Sequence, residues 1–168
     1  MNFRKAVKRD LPELNRIFSD MIEDLDTRKI HVWDEEYPSC AFPEDIDRGG
    51  LYVLEGEEGL LSAFAIYPEN ESAPYVTWQD NDAKALYVER LGVKVGCGRQ
   101  GIAKLMMDYA ADMVKAAGFS YLRLFVAEIN IPAIAFYEKN GFIFADGIYE
   151  DEIGDEILPE FGMEKKIV

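Results

Sequence analysis

The chain has 168 residues, of which 49% are hydrophobic and 30% are charged, as is usual for one globular domain with its own core. Its formal net charge of −14 argues against a protein that binds nucleic acid or an anionic membrane surface, because phosphate groups would be repelled. The same charge suits a cationic partner such as an amine.

The cysteine and histidine content predicts neither a disulfide framework nor a metal site. Cys40 and Cys97 are the two cysteines, and His31 is the single histidine, with no other ligand at metal-binding spacing. The N-terminal stretch MNFRKAVKRD lacks the apolar run of a signal peptide, and no run in the chain is long enough to span a bilayer. We therefore expect a cytoplasmic protein that is not embedded in a membrane.

The N-terminal region predicts a strand followed by a helix. Residues 2–7 alternate between polar and apolar side chains, which is typical of a strand. Asp10 then stands where an N-cap is expected, and Glu13 stands at the capping-box position. Helical spacing of apolar residues continues to about Leu25, and a second, short helix is predicted near 43–47.

The middle of the chain predicts a hairpin, a strand and a long helix. Two apolar segments flank residues 56–59, which form the predicted hairpin turn, and a polar loop follows at 68–83. The segment 84–93 is the next strand. Apolar residues then recur at helical spacing over 101–117, and Gly118 stands at the position that ends a helix.

The C-terminal region predicts three more strands and one more helix. The near-continuous apolar run at 120–128 indicates a central strand, and Asn130 caps a short helix that Gly141 ends. The last two predicted strands are FIFADGIY and FGMEKKIV, separated by an acidic loop at 150–156. The element order predicts one α/β domain over residues 1–168 with a mixed sheet.

The stretch VGCGRQGIAKLM contains the spacing Gly96-x-Gly98-x-x-Gly101, which is also found in dinucleotide-binding folds. A strand precedes it, a helix follows, and Glu128 ends the next strand, where such a fold would bind a ribose. Against an NAD-binding protein, a hairpin precedes this unit, and only about 40 residues follow Glu128, too few for a second mononucleotide-binding half.

The same stretch predicts a second kind of anion site at the start of the 101–117 helix. Free backbone N–H groups and the helix dipole attract phosphate there. Gly98 and Gly101 allow close approach of the backbone, Ala103 is small, and Arg99 can add a charged contact. A glycine turn that binds no ligand remains an alternative from this stretch alone.

A second motif, NIPAIAFYEKNGF beginning at Asn130, gives the chain a family resemblance. Together with the glycine turn, it resembles the GNAT superfamily of acyl-CoA N-acyltransferases, which pair a Q/R-x-x-G-x-G/A pyrophosphate loop with an N-x-x-A-x-x-F-Y-x-x-x-G-F segment. The matching residues are Gly98 to Ala103 in the first motif, and Asn130, Ala133, Phe136, Tyr137, Gly141 and Phe142 in the second. Gly98 replaces the family's first Gln or Arg, and Arg99 stands where glycine is common.

The resemblance implies the GNAT fold: a central, mostly antiparallel sheet of about six or seven strands with about four helices, splayed between the strands at 84–93 and 120–127. It implies acetyl-CoA or coenzyme A as cofactor and a transferase that acetylates a primary amine by direct attack. The acceptor would be a small-molecule amine or a peptide amine, and the chain could form a homodimer. A non-catalytic module that binds acyl-CoA as a sensor or subunit stays open as an alternative.

Acyl transfer from a thioester to an amine assigns roles to individual residues. An amine with a pKa near 10 must lose a proton before it attacks. Glu89 and Glu128 are candidate bases for this step, although Glu89 could also be an ordinary outward-facing strand residue. By resemblance, Tyr137 protonates the leaving thiolate, or alternatively only packs helix against sheet.

The remaining predicted residues bind cofactor or acceptor. The backbone around Leu91 and Val93 would polarise the thioester carbonyl and pair with the pantetheine arm. The residues expected to bind the cofactor are Leu91, Gly92, Val93, Gly98, Arg99, Gln100, Gly101, Ile102, Ala103, Asn130, Ala133, Phe136 and Tyr137. The residues expected to line the acceptor pocket are Trp33, Tyr37, Tyr75 and Trp78.

Overall fold

Four α-helices and eight β-strands form along the chain in this computed structural model, which describes residues Met1 to Val168. The helices are α1 (Leu11–Thr27), α2 (Phe42–Asp47), α3 (Ile102–Ala116) and α4 (Ile131–Lys139). The strands are β1 (Asn2–Lys5), β2 (Leu51–Gly56), β3 (Gly59–Tyr67), β4 (Ala85–Val93), β5 (Tyr121–Ala127), β6 (Ile143–Phe144), β7 (Tyr149–Ile153) and β8 (Glu156–Lys166). The predicted helices are all present, and α1 continues past Leu25 to Thr27.

The strands form one mixed sheet in the order β1-β2-β3-β4-β5-β8-β6, and β7 pairs with β8. Strand β5 is antiparallel to β8, as are β1 to β2 and β2 to β3. Strands β4 and β5 are parallel, and their ladder runs only from Ala85 opposite Tyr121 to Val88 opposite Leu124. The predicted mixed, mostly antiparallel fold is therefore confirmed, with eight strands in place of about six or seven.

The extra strand comes from the acidic segment that was predicted to be a loop at 150–156. Strand β7 pairs with β8 from Tyr149 opposite Glu160 to Ile153 opposite Glu156, around a turn in which Gly154 has a φ of +61°. Exposed carboxylates on a strand of this kind remain hydrated, so their charge does not prevent backbone pairing. The predicted strand FIFADGIY is correspondingly broken, because Gly147 at φ +97° separates β6 from β7.

The chain folds as two compact units. The first contains residues 1–66 and 89–109, and the second contains residues 67–88 and 110–168. Strand β4 contributes to both, since its first four residues belong to the second unit and its last five belong to the first. A single domain over the whole chain stays a prediction.

The core of the first unit is built on one face of α1. Leu14, Ile17 and Phe18 are at most 2% exposed, and the Phe18 ring packs edge-on against Phe42 with their centroids 4.8 Å apart. Gly92 in β4 allows this packing, because a Cβ atom there would lie 2.6 Å from Cζ of Phe18.

The start of α1 differs from the predicted capping box. The backbone of Asp10 is already helical, and its side chain makes no capping hydrogen bond. Instead, the Asp10 carboxylate accepts hydrogen bonds from the Arg4 guanidinium at 2.8 and 3.0 Å and from the Val7 N–H at 2.8 Å. The bonds from Arg4 lower the pKa of Asp10. Glu13 accepts from the Leu60 N–H at 2.9 Å, so both carboxylates join α1 to strands rather than cap it.

The second unit contains a buried ion pair between β5 and β8. The Arg123 and Glu164 side chains are 2% and 0% exposed, and Nε of Arg123 lies 3.1 Å from Oε2 of Glu164. The guanidinium also donates to the Asp80 carbonyl at 2.6 Å and to the Tyr87 hydroxyl at 3.3 Å. It stacks 4.6 Å from the centroid of the Trp78 ring, so all of its surroundings are protein.

Candidate functional site

The N-terminus of α3 presents free backbone donors. The first i to i−4 hydrogen bond joins the Leu105 N–H to the Gly101 carbonyl at 2.9 Å. The N–H groups of Ile102, Ala103 and Lys104 precede it and have no partner inside the helix. Together with the helix dipole, these donors form a site that favours a phosphate oxygen.

The turn before α3 has an open backbone. Gly96, Arg99 and Gly101 have φ values of +86°, +60° and +77°, which lie in the left-handed region that favours glycine. Gly98 has neither this conformation nor a close neighbour, and a Cβ added there would meet no atom within 4 Å. The turn therefore leaves space beside its backbone.

Strand β4 departs from extended geometry at Arg90, whose φ is +55°. Asp45 of α2 fixes the side chain of this residue by accepting from Nε at 2.9 Å and from Nη2 at 2.8 Å. Nη1 contacts Oε2 of Glu89 at 2.9 Å and donates to the hydroxyl of Tyr37 at 3.2 Å. Burial disfavours the charge of Arg90, but attraction to these partners outweighs it and raises the pKa.

The Arg90 cluster brings together two residues that the sequence predicted separately, Glu89 and Tyr37. Glu89 is half-buried and forms an ion pair, so it is not an ordinary outward-facing residue. Sequence reasoning missed Arg90 as a member of this site, since nothing in the pattern KALYVERLGV distinguishes a left-handed residue from an extended one.

Four other predicted residues belong to the first unit, namely Leu91, Gly92, Val93 and Trp33. Leu91 and Val93 are half-buried, and the Gly92 carbonyl accepts a hydrogen bond from the Ser62 hydroxyl at 2.6 Å. Trp33 is half-buried with its ring centroid 5.7 Å from that of Phe18.

Helix α4 carries the predicted motif of the second unit. The Asn130 side chain accepts from the Ala133 N–H at 3.3 Å, so the predicted helix cap is confirmed. Tyr137 packs edge-on against Phe136 and Phe142, with centroids 5.3 and 5.6 Å away.

The Tyr137 phenol is buried and keeps its proton at neutral pH. Burial raises its pKa above the usual value, so the hydroxyl is protonated at neutral pH. Tyr137 is only 9% exposed. No fully buried side-chain nitrogen or oxygen in the protein lacks a hydrogen-bond partner.

Two glutamates lie near the end of β5, one that the sequence predicted as a site residue and one that it did not. Glu128 is exposed, and its N–H donates to the Pro159 carbonyl at 2.9 Å. Glu160 lies opposite Ala127 and is half-buried. Burial and the neighbouring charge of Asp151 raise the pKa of Glu160 to about 7. Sequence reasoning placed this stretch near a loop and so did not consider Glu160.

Two predicted acceptor-pocket residues of the second unit have different surroundings. Tyr75 is 67% exposed and packs against Tyr149 with centroids 5.1 Å apart. Trp78 is 5% exposed, and its indole N–H donates to the Ala73 carbonyl at 3.1 Å, so it is part of the core. An acceptor-binding role for either residue stays a prediction.

The single histidine and the two cysteines take no part in the clusters described above. His31 is exposed and contacts Asp26 at 2.7 Å, and both Cys40 and Cys97 are free thiols. No group of three or more potential ligands is arranged to hold a metal ion. None of the helices is both long and apolar enough to cross a membrane.

Solved structures of acetyltransferases share this fold. A GNAT-family acetyltransferase from Streptococcus agalactiae superposes with a TM-score of 0.82 at 13% identity, covering 98% of this chain and 94% of that one. A PaiA N-acetyltransferase from Thermoplasma acidophilum, solved in complex with coenzyme A, superposes with a TM-score of 0.70 at 21% identity, covering 98% of both chains. The fold is therefore that of the GNAT acetyltransferases.

Sequence comparison gives the family directly. The profile of the Acetyltransferase (GNAT) family matches residues 18–142, and the chain belongs to this family. A streptothricin acetyltransferase from Streptomyces lavendulae is 33% identical over 101 residues, which is 60% of this chain. The match spans about half of that relative, 48% of its length. The predicted GNAT resemblance is confirmed, and the family supports the predicted enzyme class.

Proposed function

We propose that this protein is an acetyl-CoA-dependent N-acetyltransferase that acts on a primary amine. The observation that carries the proposal is the open turn before α3, where Gly98 borders empty space and the helix offers free N–H donors. An NAD-binding fold is disfavoured because β5 has an antiparallel neighbour in β8, whereas that fold needs a parallel sheet.

Each proposed role follows from the chemistry of the residue. The N–H groups of Ile102 and Ala103, with Arg99, hold the diphosphate through charge-assisted hydrogen bonds. Acetyl-CoA supplies the acetyl thioester when it is bound. The backbone of Leu91 and Val93 orients this thioester, and Tyr137 gives a proton to the leaving sulfur. A phenol held in its protonated form retains the proton that this step requires.

The acceptor is proposed to be a small-molecule amine or a peptide amine. The net charge of −14 supports a cationic acceptor. The predicted cytoplasmic location and homodimer stay predictions.

Cofactor binding can be tested at Gly98. Because a Cβ there meets nothing in the protein, Gly98→Val should leave the melting temperature unchanged while its side chain enters the space of the diphosphate. We expect calorimetry to give at least about a tenfold weaker affinity for coenzyme A, or about 1.4 kcal/mol. Unchanged affinity would remove the turn from the binding site, and a preference of the wild type for NADH would reject the proposal.

Catalysis can be tested at Tyr137. Tyr137→Phe keeps the ring packed against Phe136 and Phe142 but removes the acid, so turnover should fall by about 100-fold or more without loss of coenzyme A affinity. Tyr109→Phe is the matched control, since that ring stacks on Phe3 at 4.2 Å and takes no proposed part in the reaction. Thiol release from acetyl-CoA with a panel of primary amines measures both.

A second candidate function is an acyl-CoA-binding module without catalysis. It is favoured by Gly98 and Arg99, which depart from the family pattern of the loop. Tight coenzyme A binding by the wild type with no thiol release on any amine would support this candidate and reject the enzyme.

A further inference from the structure

Glu160 of β8 lies where β5 ends and the chain leads into α4. It pairs with Ala127 on one side and with Tyr149 of β7 on the other, and directly opposed residues project on the same face of a sheet. Three residues after Ala127, Asn130 caps the helix that carries Tyr137. Glu160 is therefore on the strand next to the segment that leads into the proposed acid.

The surroundings of Glu160 contain no balancing cation. The influences on its charge are its own burial and the carboxylate of Asp151 on β7, and both favour the protonated form. Strand β7 also contributes Tyr149, whose ring lies 6.1 Å from that of Phe125. Strand β5 contributes Ala127, which carries no charge. A half-buried carboxylate that lies next to a second carboxylate, with no cation beside it, attracts an ammonium group.

The two bases that the sequence suggested are less suited to this role. Glu89 is already in contact with the Arg90 guanidinium at 2.9 Å, which occupies the carboxylate that would have to receive the proton. Glu128 is exposed, so water surrounds its carboxylate and competes with an acceptor for it. Glu160 combines partial burial with the absence of a fixed partner.

We infer that the Glu160 carboxylate accepts the proton that a primary ammonium acceptor loses before acyl transfer, a role that rests on the proposed N-acetyltransferase activity. The ammonium gives one proton to Glu160, and its freed lone pair forms the C–N bond to the acetyl carbon as the C–S bond breaks. Tyr137 gives its proton to the thiolate and recovers one from the amide nitrogen. The products are an amide and a thiol, and Glu160 releases its proton to water.

The pH dependence of this step has a definite sign. Glu160 must be ionised to accept a proton, so kcat should rise as pH increases through about 7, where this carboxyl titrates. Below that pH, the carboxyl carries its own proton and the ammonium has no acceptor. Asp151 is the charged group that faces Glu160 and shifts this midpoint upward.

The test measures thiol release from acetyl-CoA with n-propylamine, 1,4-diaminobutane and a peptide with a free N-terminal glycine. Glu160→Gln should lower kcat by about 100-fold or more, leave the KM for acetyl-CoA unchanged, and abolish the rise near pH 7. Glu160→Asp should retain part of the activity. Glu156→Gln is the matched control, because Glu156 is an exposed glutamate on the same strand. Its kcat should stay within about twofold of the wild-type value.

The outcomes separate the inference from the function on which it rests. The inference is overturned if the kcat of Glu160→Gln is within threefold of the wild-type value, or if its kcat still rises near pH 7. Either result leaves the proposed N-acetyltransferase activity standing. A wild type that releases no thiol with any of the three amines overturns both. Circular dichroism of the variants guards against misfolding, and the Glu160→Asp variant keeps the test decisive if the glutamine variant does not fold.

Discussion

The buried pair of Arg123 and Glu164 allows a sharp prediction about stability. Glu164→Gln preserves the shape of the side chain but removes its charge, so the guanidinium of Arg123 stays buried without a counter-charge. Oε1 of Glu164 also accepts the Gln79 N–H at 2.6 Å, and a glutamine has only one oxygen to serve both donors. The variant therefore loses charge balance and one hydrogen bond together.

The expected loss in the free energy of unfolding is about 3–5 kcal/mol, the usual cost of removing one partner from a buried ion pair. For a chain of this size, such a loss lowers the melting temperature by about 10 °C. Equilibrium unfolding in urea, followed by circular dichroism, measures it as a lower midpoint at an unchanged slope.

Two further variants separate burial from charge. Asp108→Asn also breaks an ion pair between one positive and one negative side chain, since Asp108 lies 2.7 Å from Lys104. In this pair, however, the Asp108 and Lys104 side chains are 55% and 61% exposed. Asp108→Asn should cost about 0.5 kcal/mol or less. Replacing both buried partners, as in Arg123→Met with Glu164→Leu, should cost less than Glu164→Gln alone. A loss below about 1 kcal/mol for Glu164→Gln, or one no larger than that of Asp108→Asn, would refute the reasoning.

Four other variants have expected outcomes in the same urea assay. Gly92→Ala should lower the free energy of unfolding by about 1–3 kcal/mol, because its Cβ would lie 2.6 Å from Cζ of Phe18. Gly98→Ala meets open space and should lower it by less than about 0.5 kcal/mol. Equal losses in the two variants would contradict the packing argument. Burial and Asp151 raise the pKa of Glu160 from 4.5 to about 7, so stability that is present below pH 4.5 is lost as pH rises through 7. Glu160→Gln should remove this loss and be more stable than the wild type at pH 8 by up to about 3 kcal/mol, whereas parallel pH profiles would contradict it. Asn130→Ala should cost about 1 kcal/mol through the lost cap of α4, and no change would show that the hydrogen bond contributes nothing.

Local patterns in the sequence predicted most of the elements, because each depends on neighbouring residues. The spacing of apolar residues predicted α1 and α3, and Asn130 predicted the start of α4. The acidic segment was predicted wrongly because charge indicates exposure, and an exposed strand paired on β8 is as hydrated as a loop. Asp10 stands at the predicted N-cap position, but its carboxylate bonds to Arg4 instead of the helix, a partner that local spacing does not reveal.

The sequence by itself determined the family. The glycine turn and the segment from Asn130 to Phe142 are each an unbroken stretch of sequence. Their residue spacing is therefore visible without the structure, and it carries the resemblance. Tertiary structure decided the electrostatic state of the carboxylates. Glu89 meets the guanidinium of Arg90, whereas Glu160 meets burial and Asp151, and neither difference can be read from the chain. The physical reason is that desolvation and Coulomb attraction depend on distances in space, which folding sets between residues far apart in sequence.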